Sequence, residues 1–317
     1  MTEFDLIDLF TRAAPREGEG VVLGIGDDAA VLRPPRGEDL VMTVDAVVDG
    51  VHFDRRFRPE DVGWKALAVN LSDLAAMGAR PLWALCALST PRAEASGRLA
   101  GVGRGLAACA STFGVALAGG NVTRARELAL TVTVVGAVRR GRALARAGAR
   151  PGDTLLVSGS LGDAALGRRP GAVRALVRRQ RRPTPRLALG QALPGLARAA
   201  IDVSDGLLQD LAHLCAASGV GATVRLDALP LSEAYRRTVE RGARVRPYDA
   251  ALAGGEDYEL LVAVAPGQVG RARAAARKVG IPLTAVGDVT RGGGVKVFDA
   301  CGRPYHVRAR GHDHLAG

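Results

Sequence analysis

Aromatic residues are scarce in this chain. Phe, Trp and Tyr together make up 4% of its 317 residues, whereas glycine alone contributes 41. The hydrophobic fraction of 48% is nevertheless typical of folded proteins, which excludes wholesale disorder. We therefore expect aliphatic cores with close backbone approaches, in a chain long enough for two domains.

The chain also lacks long hydrophobic runs and paired cysteine motifs. No stretch of 18 apolar residues is uninterrupted, and no window resembles a signal peptide, so we expect a cytoplasmic protein without a membrane partner. The four cysteines are scattered and form no CxxC or Cys/His spacing. They are expected to be reduced thiols rather than disulfides or metal ligands.

Lysine is the rarest charged residue, although the net charge is +11. Only Lys65, Lys278 and Lys296 are lysines, so 40 of the 43 basic residues are arginines. The arginines concentrate in Arg139–Arg150 and Arg168–Arg186 without interleaved aromatic residues for base stacking. We interpret them as a solvated arginine-rich face and expect no nucleic-acid partner.

Hydrophobic patterning predicts mixed strands and helices in both halves of the chain, with a boundary near residue 150. Neither a P-loop nor a GxGxxG fingerprint is present. Because hairpins occur beside crossovers, the pattern indicates an α+β fold rather than a doubly wound sheet. Elements that bear on function are a helix over Met1–Phe10, two strands around a Gly-Asp-Asp turn in Val21–Leu32, a strand ending at Asp45, a strand Val115–Ala118 followed by a loop Gly119–Arg124, and a helix Leu207–Ser218 capped by Ser204 or Asp205.

The stretch Lys65–Ala79 is almost wholly apolar and rich in strong helix formers, which predicts a buried helix. It carries Asn70 and Asp73, which an i,i+3 spacing places on one face. A carboxylate in apolar surroundings is costly without a partner, and no residue three or four positions from Asp73 is cationic. We expect a distant arginine or a metal ion as partner. The alternative is a hydrogen-bonded core aspartate.

Most of the other candidate acids are predicted to lie at strand ends or in glycine-rich turns. Converging carboxylates repel one another unless cations lie among them, and hard oxygen ligands suit Mg²⁺, which also binds phosphates. Each motif is weak alone, but together they suggest a multi-metal phosphoryl-transfer site. These acids are Asp27, Asp28, Asp45, Asp202, Asp205, Glu256 and Asp257.

At these residues the sequence resembles the thiamine-monophosphate kinases, in the superfamily of aminoimidazole ribonucleotide synthetase and selenophosphate synthetase. The motifs match in order from end to end: Gly24–Asp28, Thr43–Asp45 with His52, Lys65–Ala79, Gly141–Arg146, Ile201–Gly206 and Gly254–Leu260.

The resemblance implies ATP-dependent phosphorylation of thiamine phosphate to thiamine diphosphate, with ATP as co-substrate and several Mg²⁺ ions. It also implies a homodimer whose N-terminal strands form a barrel across the interface. Residues 1–150 would form the metal-binding, ATP-binding and dimerisation domain. Residues 151–317, a sheet with packed helices, would contribute further site residues.

Position by position, the resemblance also implies a set of site residues. Implied Mg²⁺ ligands are Asp27, Thr43, Val44 through its carbonyl, Asp45, Asp73, Asn121, Asp202 and Asp205. Implied ATP contacts are Gly120, Asn121, Arg146 and Ser204, and implied thiamine phosphate contacts are His52 and Glu256. Asp73, Arg146 and Asp205 are the implied catalytic residues.

Three departures from the family pattern stand out. Asn121 replaces an aspartate, which removes one negative charge but leaves a carbonyl ligand, so we expect weaker Mg²⁺ binding there. Val44 replaces a threonine, and Gly311–His314 retains only part of an aromatic ending.

Two alternatives to the thiamine-monophosphate kinase activity stay open. One is a sister activity of the superfamily, either amidine cyclisation or selenophosphate synthesis. The other is a catalytically weakened, arginine-rich binding protein.

Overall fold

The computed structural model describes residues 5, 7–8, 11–241 and 246–307 of the chain. These residues belong to two compact units, the first comprising Met1–Leu74 and Ala79–Gly141, the second Ala75–Gly78 and Arg142–Gly317. Most of the predicted N-terminal helix and all of Gly311–His314 lie outside the described residues. Within the described ranges, every helix is too short or too polar to span a lipid bilayer.

The first unit contains a four-stranded mixed sheet and two long helices. The sheet has the strand order β3-β6-β4-β5, in which β4 and β5 are parallel and the other pairs antiparallel. A short antiparallel pair, β1 with β2, flanks the Gly-Asp-Asp turn as predicted. The elements are β1 (Val21–Leu23), β2 (Val31–Leu32), β3 (Glu38–Val48), α1 (Pro59–Ala76), β4 (Arg80–Thr90), α2 (Ser96–Phe113), β5 (Ala116–Arg124) and β6 (Ala129–Arg139).

Helix α1 is the predicted buried helix, and it packs backbone to backbone against α2. A Cβ at Gly63 would lie 1.9 Å from the carbonyl oxygen of Val102, and one at Gly105 would lie 2.0 Å from that of Glu60. Side chains larger than hydrogen would force these helices apart, because packed interiors cannot absorb such an overlap. The expected close backbone approaches are therefore confirmed here.

Two predicted strand ends are wrong. Strand β3 continues through Asp45 to Val48, and β5 continues through the glycines to Arg124. Only glycine fits at position 120 of β5, because the backbone there approaches β4 closely. A Cβ at this position would lie 2.1 Å from the carbonyl oxygen of Cys86. Glycine therefore marks close packing inside β5 rather than a loop.

The second unit is built on a six-stranded mixed sheet with the order β12-β9-β11-β7-β10-β8. Its core is aliphatic, as expected, with Leu155, Leu261 and Val286 wholly buried. In the described part of the chain neither sheet closes on itself. The elements are β7 (Thr154–Ser158), α3 (Asp163–Gly167), α4 (Arg174–Arg181), α5 (Leu187–Ala192), β8 (Ala197–Val203), α6 (Leu207–Ser218), β9 (Gly221–Arg225), α7 (Glu233–Glu240), α8 (Asp249–Ala253), β10 (Glu259–Val264), α9 (Val269–Lys278), β11 (Leu283–Thr290) and β12 (Val295–Phe298).

The expected solvated arginine face is only partly correct. Arg179 and Arg186, on α4 and just before α5, turn inward and pair with the fully buried carboxylate of Glu259 at the start of β10. A buried carboxylate requires such partners because its desolvation is otherwise uncompensated. Part of the arginine-rich segment is therefore core structure.

Candidate functional site

The mid-helix carboxylate of Asp73 meets a hydroxyl from the neighbouring sheet. Thr43 Oγ1 on β3 donates a hydrogen bond of 2.6 Å to Asp73 Oδ2 on α1, across 30 residues of sequence. Asp73 is partly buried. Where a distant arginine or a metal ion was expected, the structure shows a hydrogen bond from a threonine hydroxyl, and this contact matches the alternative of a hydrogen-bonded aspartate.

This pair presents oxygens that suit a hard cation. Carboxylate and hydroxyl oxygens are the ligand types that Mg²⁺ prefers, and this pair holds one of each 2.6 Å apart. Asp45 lies two residues beyond Thr43 and shares its face of β3, because side chains alternate along a strand. Across the described ranges, however, no three His, Cys, Asp or Glu side chains converge as a metal site.

A cleft of about 1010 Å³ brings a second group of predicted residues together in the first unit. Asp27, Gly120 and Asn121 all line it, with Arg16 and the threonines Thr131 and Thr133 of β6. Strands β3 and β5 are the two edges of the sheet, with β6 and β4 between them. Asn121 and Asp45 therefore lie on opposite edge strands rather than side by side.

His52 lies in the turn between β3 and α1. Its Nδ1 accepts a hydrogen bond of 3.2 Å from the backbone N–H of Val48, and its carbonyl oxygen accepts one of 3.1 Å from Lys65 Nζ. Lys65 itself is 1% exposed. The sequence offered one signal for this lysine, a cation within an otherwise almost wholly apolar helix.

In the second unit, predicted site residues flank the start of α6. Asp202 is buried in β8, and Ser204 and Asp205 follow in the loop before Leu207. The predicted N-cap is wrong: Gly206 occupies that position with φ 120°, and no side chain caps it. Arg146, another predicted residue of this unit, has an exposed side chain, and its carbonyl oxygen accepts a 3.0 Å hydrogen bond from Ser218 Oγ.

Asp210, at the start of α6, accepts backbone hydrogen bonds of the kind that a helix-capping side chain would accept. Its Oδ2 accepts hydrogen bonds of 3.1 Å from the backbone N–H groups of Asp205 and Gly206. Burial and then the Asp205 carboxylate raise the pKa of Asp210 to about 7. Asp210 thus shapes the loop that carries Ser204 and Asp205, a role that the local sequence did not reveal.

Glu256 lies in a loop whose backbone is held against the end of β8. It adopts φ 70°, and Tyr258 adopts φ 51°, which is costly for residues other than glycine. Their N–H groups donate to the carbonyl oxygens of Ser204 and Val203 at 2.7 and 2.8 Å. These bonds join Glu256 to Ser204, so the structure brings two of the predicted residues together.

The Glu256 carboxylate is itself 3.6 Å from Arg168 Nε and 3.5 Å from Gln180 Nε2. The adjacent Asp257 accepts a 2.6 Å hydrogen bond from the N–H of Gly162 at the start of α3. Burial raises the pKa of Asp257 well above its ordinary value. The loop is therefore anchored on both sides of Glu256.

The chain is similar to known proteins over nearly its whole length. Residues 26–138 match the AIR synthase related protein N-terminal domain family, and residues 150–300 match the C-terminal domain family. Thiamine-monophosphate kinase of Salmonella typhimurium is 40% identical over 99% of this chain and 98% of its own.

Two solved structures are also similar to this chain over nearly its whole length. The crystal structure of thiamine-monophosphate kinase from Stenotrophomonas maltophilia superposes with a TM-score of 0.84 at 46% identity, covering 94% of this chain and 96% of that one. AaThiL complexed with AMPPCP and TMP superposes with a TM-score of 0.79 at 31% identity, covering 99% and 97%.

Proposed function

The chain belongs to the thiamine-monophosphate kinase family, and from this premise we propose that it transfers the γ-phosphoryl group of ATP to thiamine phosphate, giving ADP and thiamine diphosphate. The near-complete overlap with kinases of that name carries the proposal. The similar structure of AaThiL complexed with AMPPCP and TMP supports ATP and thiamine phosphate as the two substrates.

The reaction needs no general base, because its acceptor is already a phosphate. The second pKa of a phosphate monoester is about 6, so the attacking oxygen is largely ionised near neutral pH. The barrier lies in bringing two polyanions together and in stabilising charge during transfer. We therefore propose direct in-line transfer without a phosphoenzyme.

Hard oxygen ligands for Mg²⁺ are available in both units. When bound, Mg²⁺ would neutralise phosphate charge during transfer. We propose that the first unit's ligands come from its acids, from Thr43, from Asn121 and from the carbonyl of Val44, and that the Thr43–Asp73 oxygen pair is the clearest support. The proposed ligands are Asp27, Thr43, Val44, Asp45, Asp73 and Asn121 in the first unit and Asp202 and Asp205 in the second.

The remaining side chains bind and orient the two substrates. Gly120, Asn121, Arg146 and Ser204 are the proposed ATP contacts, and the exposed guanidinium of Arg146 can meet phosphate charge directly. His52 and Glu256 are the proposed contacts to thiamine phosphate. Asp73, Arg146 and Asp205 are the proposed catalytic residues.

The proposal is tested by incubating purified chain with Mg²⁺, ATP and thiamine phosphate and measuring thiamine diphosphate. ATP turnover without that product favours a sister activity, amidine cyclisation or selenophosphate synthesis. Salt-sensitive nucleic-acid binding without ATP turnover favours the arginine-rich binding protein.

We also propose that the chain forms a homodimer through exposed apolar side chains of β3, at one edge of its four-stranded sheet. Met42 and Val44 are 67% and 58% exposed on β3, and Leu40 is also exposed. These three side chains are spaced two residues apart along the strand and so share one face. A second copy covering this face would remove them from water.

Met42→Glu is therefore expected to convert the dimer to a monomer, because an interfacial carboxylate without a partner is costly. Molecular mass from sedimentation or light scattering is the measurement. Val173→Glu, which alters a 40% exposed apolar residue of the second unit, is the control and should stay dimeric. A wild-type chain that is monomeric at micromolar concentration would refute the dimer.

Asn121→Asp is expected to strengthen Mg²⁺ binding by restoring a negative charge to the cleft. The Mg²⁺ concentration for half-maximal activity should fall about fivefold to tenfold, as should the Kd of Mn²⁺ measured by electron paramagnetic resonance. Gln191→Glu adds the same charge at an exposed position of the second unit and should change neither value. Unchanged values for Asn121→Asp would show that residue 121 is not a ligand.

A further inference from the structure

Lys65 is a buried cation to which the proposed reaction gives no task. It is 1% exposed on α1, whose flanking residues from Val62 to Ser72 are almost all buried. Burying an ammonium group costs free energy that must be offset by partners. Nζ donates a 3.1 Å hydrogen bond to the carbonyl oxygen of His52, and it lies 5.6 Å from the centre of the Phe57 ring.

These partners belong to the turn that presents His52. The N–H of His52 donates to the carbonyl oxygen of Val48 at 2.9 Å, and Gly50 N–H donates to the carbonyl oxygen of Phe53 at 2.8 Å. Phe53 and Phe57 are buried, with ring centres 6.3 Å apart. The turn is therefore folded over the end of the Lys65 side chain, and the lysine joins the turn to α1.

The same turn determines the tautomer of His52. Its Nδ1 accepts the N–H of Val48 at 3.2 Å and so cannot carry a proton itself. In the neutral imidazole the proton must then reside on Nε2, which becomes the donor. A hydrogen-bond donor matches a phosphate oxygen or another acceptor of the thiamine phosphate.

We propose that Lys65 is a positioning residue for the phosphate acceptor: its ammonium group holds the His52 carbonyl and thereby keeps the His52 imidazole oriented as an Nε2–H donor. The assignment rests on the proposed contact between His52 and thiamine phosphate. Lys65 touches neither substrate in this account and acts only through His52.

Lys65→Met tests the proposal, because methionine has a similar length and suits a buried helix but lacks the ammonium group. The KM for thiamine phosphate should rise about tenfold, the effect of one lost hydrogen bond, whereas the KM for ATP should stay within about twofold. Lys278→Met makes the same change at an exposed position of α9 and should leave both constants unchanged. Lys65→Arg, which keeps the cation, should restore part of the affinity.

A spectroscopic measurement reports the same link without turnover. In the full-length chain, ¹⁵N–¹H correlation spectra of the imidazoles distinguish the two tautomers, and His52→Gln identifies the His52 signals among the five histidines. The wild type should show the Nε2–H tautomer, and Lys65→Met should show a mixture. Lys65→Arg should lie between them, which keeps the test valid if the methionine variant does not fold.

Two results would overturn the proposal. One is an unchanged tautomer in both Lys65 variants. The other is an equal rise in KM for both substrates with a fall in kcat, which would show a general structural role. A wild type that makes no thiamine diphosphate would instead defeat the proposed function, while the spectra would still report whether Lys65 controls His52.

Discussion

Replacing Asp73 by asparagine is expected to lower kcat about a thousandfold, the scale of losing one preorganised electrostatic group in an active site. The melting temperature should fall by no more than about 2–4 °C, which corresponds to a loss of about 1 kcal/mol of stability in a chain of this size. Steady-state kinetics and thermal unfolding of the same preparation measure both effects.

The reason lies in the geometry around Asp73. Asparagine has the same shape, and its remaining oxygen can still accept the hydrogen bond from Thr43 Oγ1. The fold therefore keeps its contact between α1 and β3. The negative charge is lost, and with it the preference of this oxygen pair for a divalent cation.

Glu60→Gln provides the matched control, because it removes an acid from the first turn of the same helix. Glu60 pairs with Arg104 at the surface, and such pairs contribute little, so kcat should be unchanged. If Asp73→Asn mainly unfolds the protein, Asp73 is a structural residue, and its assignment as a catalytic residue is wrong.

Replacing Glu259 by glutamine is expected to lower the free energy of unfolding by about 3–5 kcal/mol, because the partly buried Arg179 and Arg186 lose the carboxylate that they share, and among the described residues only Arg179 keeps a second one, Asp163 at 3.9 Å. Glu259 is 0% exposed. Its Oε1 lies 2.6 Å from Arg179 Nη2, its Oε2 lies 2.7 Å from Arg186 Nε, and Ser158 Oγ also donates to Oε2. A glutamine NH₂ group would face donors where the carboxylate oxygen now accepts.

Urea unfolding followed by circular dichroism measures the loss. Trp64 and Trp83 both lie in the first unit, so tryptophan fluorescence recorded in parallel separates its unfolding from that of the second unit. Glu233→Gln is the control, since it breaks an exposed i,i+4 pair with Arg237 and should cost less than about 1 kcal/mol. Equal losses in the two variants would show that the buried network adds no stability.

Sequence patterns predicted helices and strands correctly where a single hydrophobic periodicity, helical or alternating, ran through the segment. Helix α6 covers Leu207–Ser218 as expected, and the strands around the Gly-Asp-Asp turn pair as expected. Patterns failed where tertiary packing decided the outcome. The continuation of β5 through Gly120 depends on the backbone of β4, and glycine in isolation indicates a turn equally well.

The residues of the candidate site were harder to assign from the sequence than the helices and strands. Acids beside glycines indicated hard oxygen ligands, but individual roles came from the family resemblance. Asp210 was missed because its task is to accept backbone N–H groups of the preceding loop. The pairing of Glu259 with Arg179 spans 80 residues, and no local pattern reveals a contact at that separation.

The proposed reaction transfers the ATP γ-phosphoryl group directly to thiamine phosphate. Its most direct test is a rapid-quench single turnover of the wild-type chain with ATP radiolabelled at the γ position. We predict that the label appears in thiamine diphosphate at the rate at which ADP forms, with none attached to the protein at any time. Release of the label as inorganic phosphate without thiamine diphosphate, or labelled protein that forms first and then decays into product, would contradict the account.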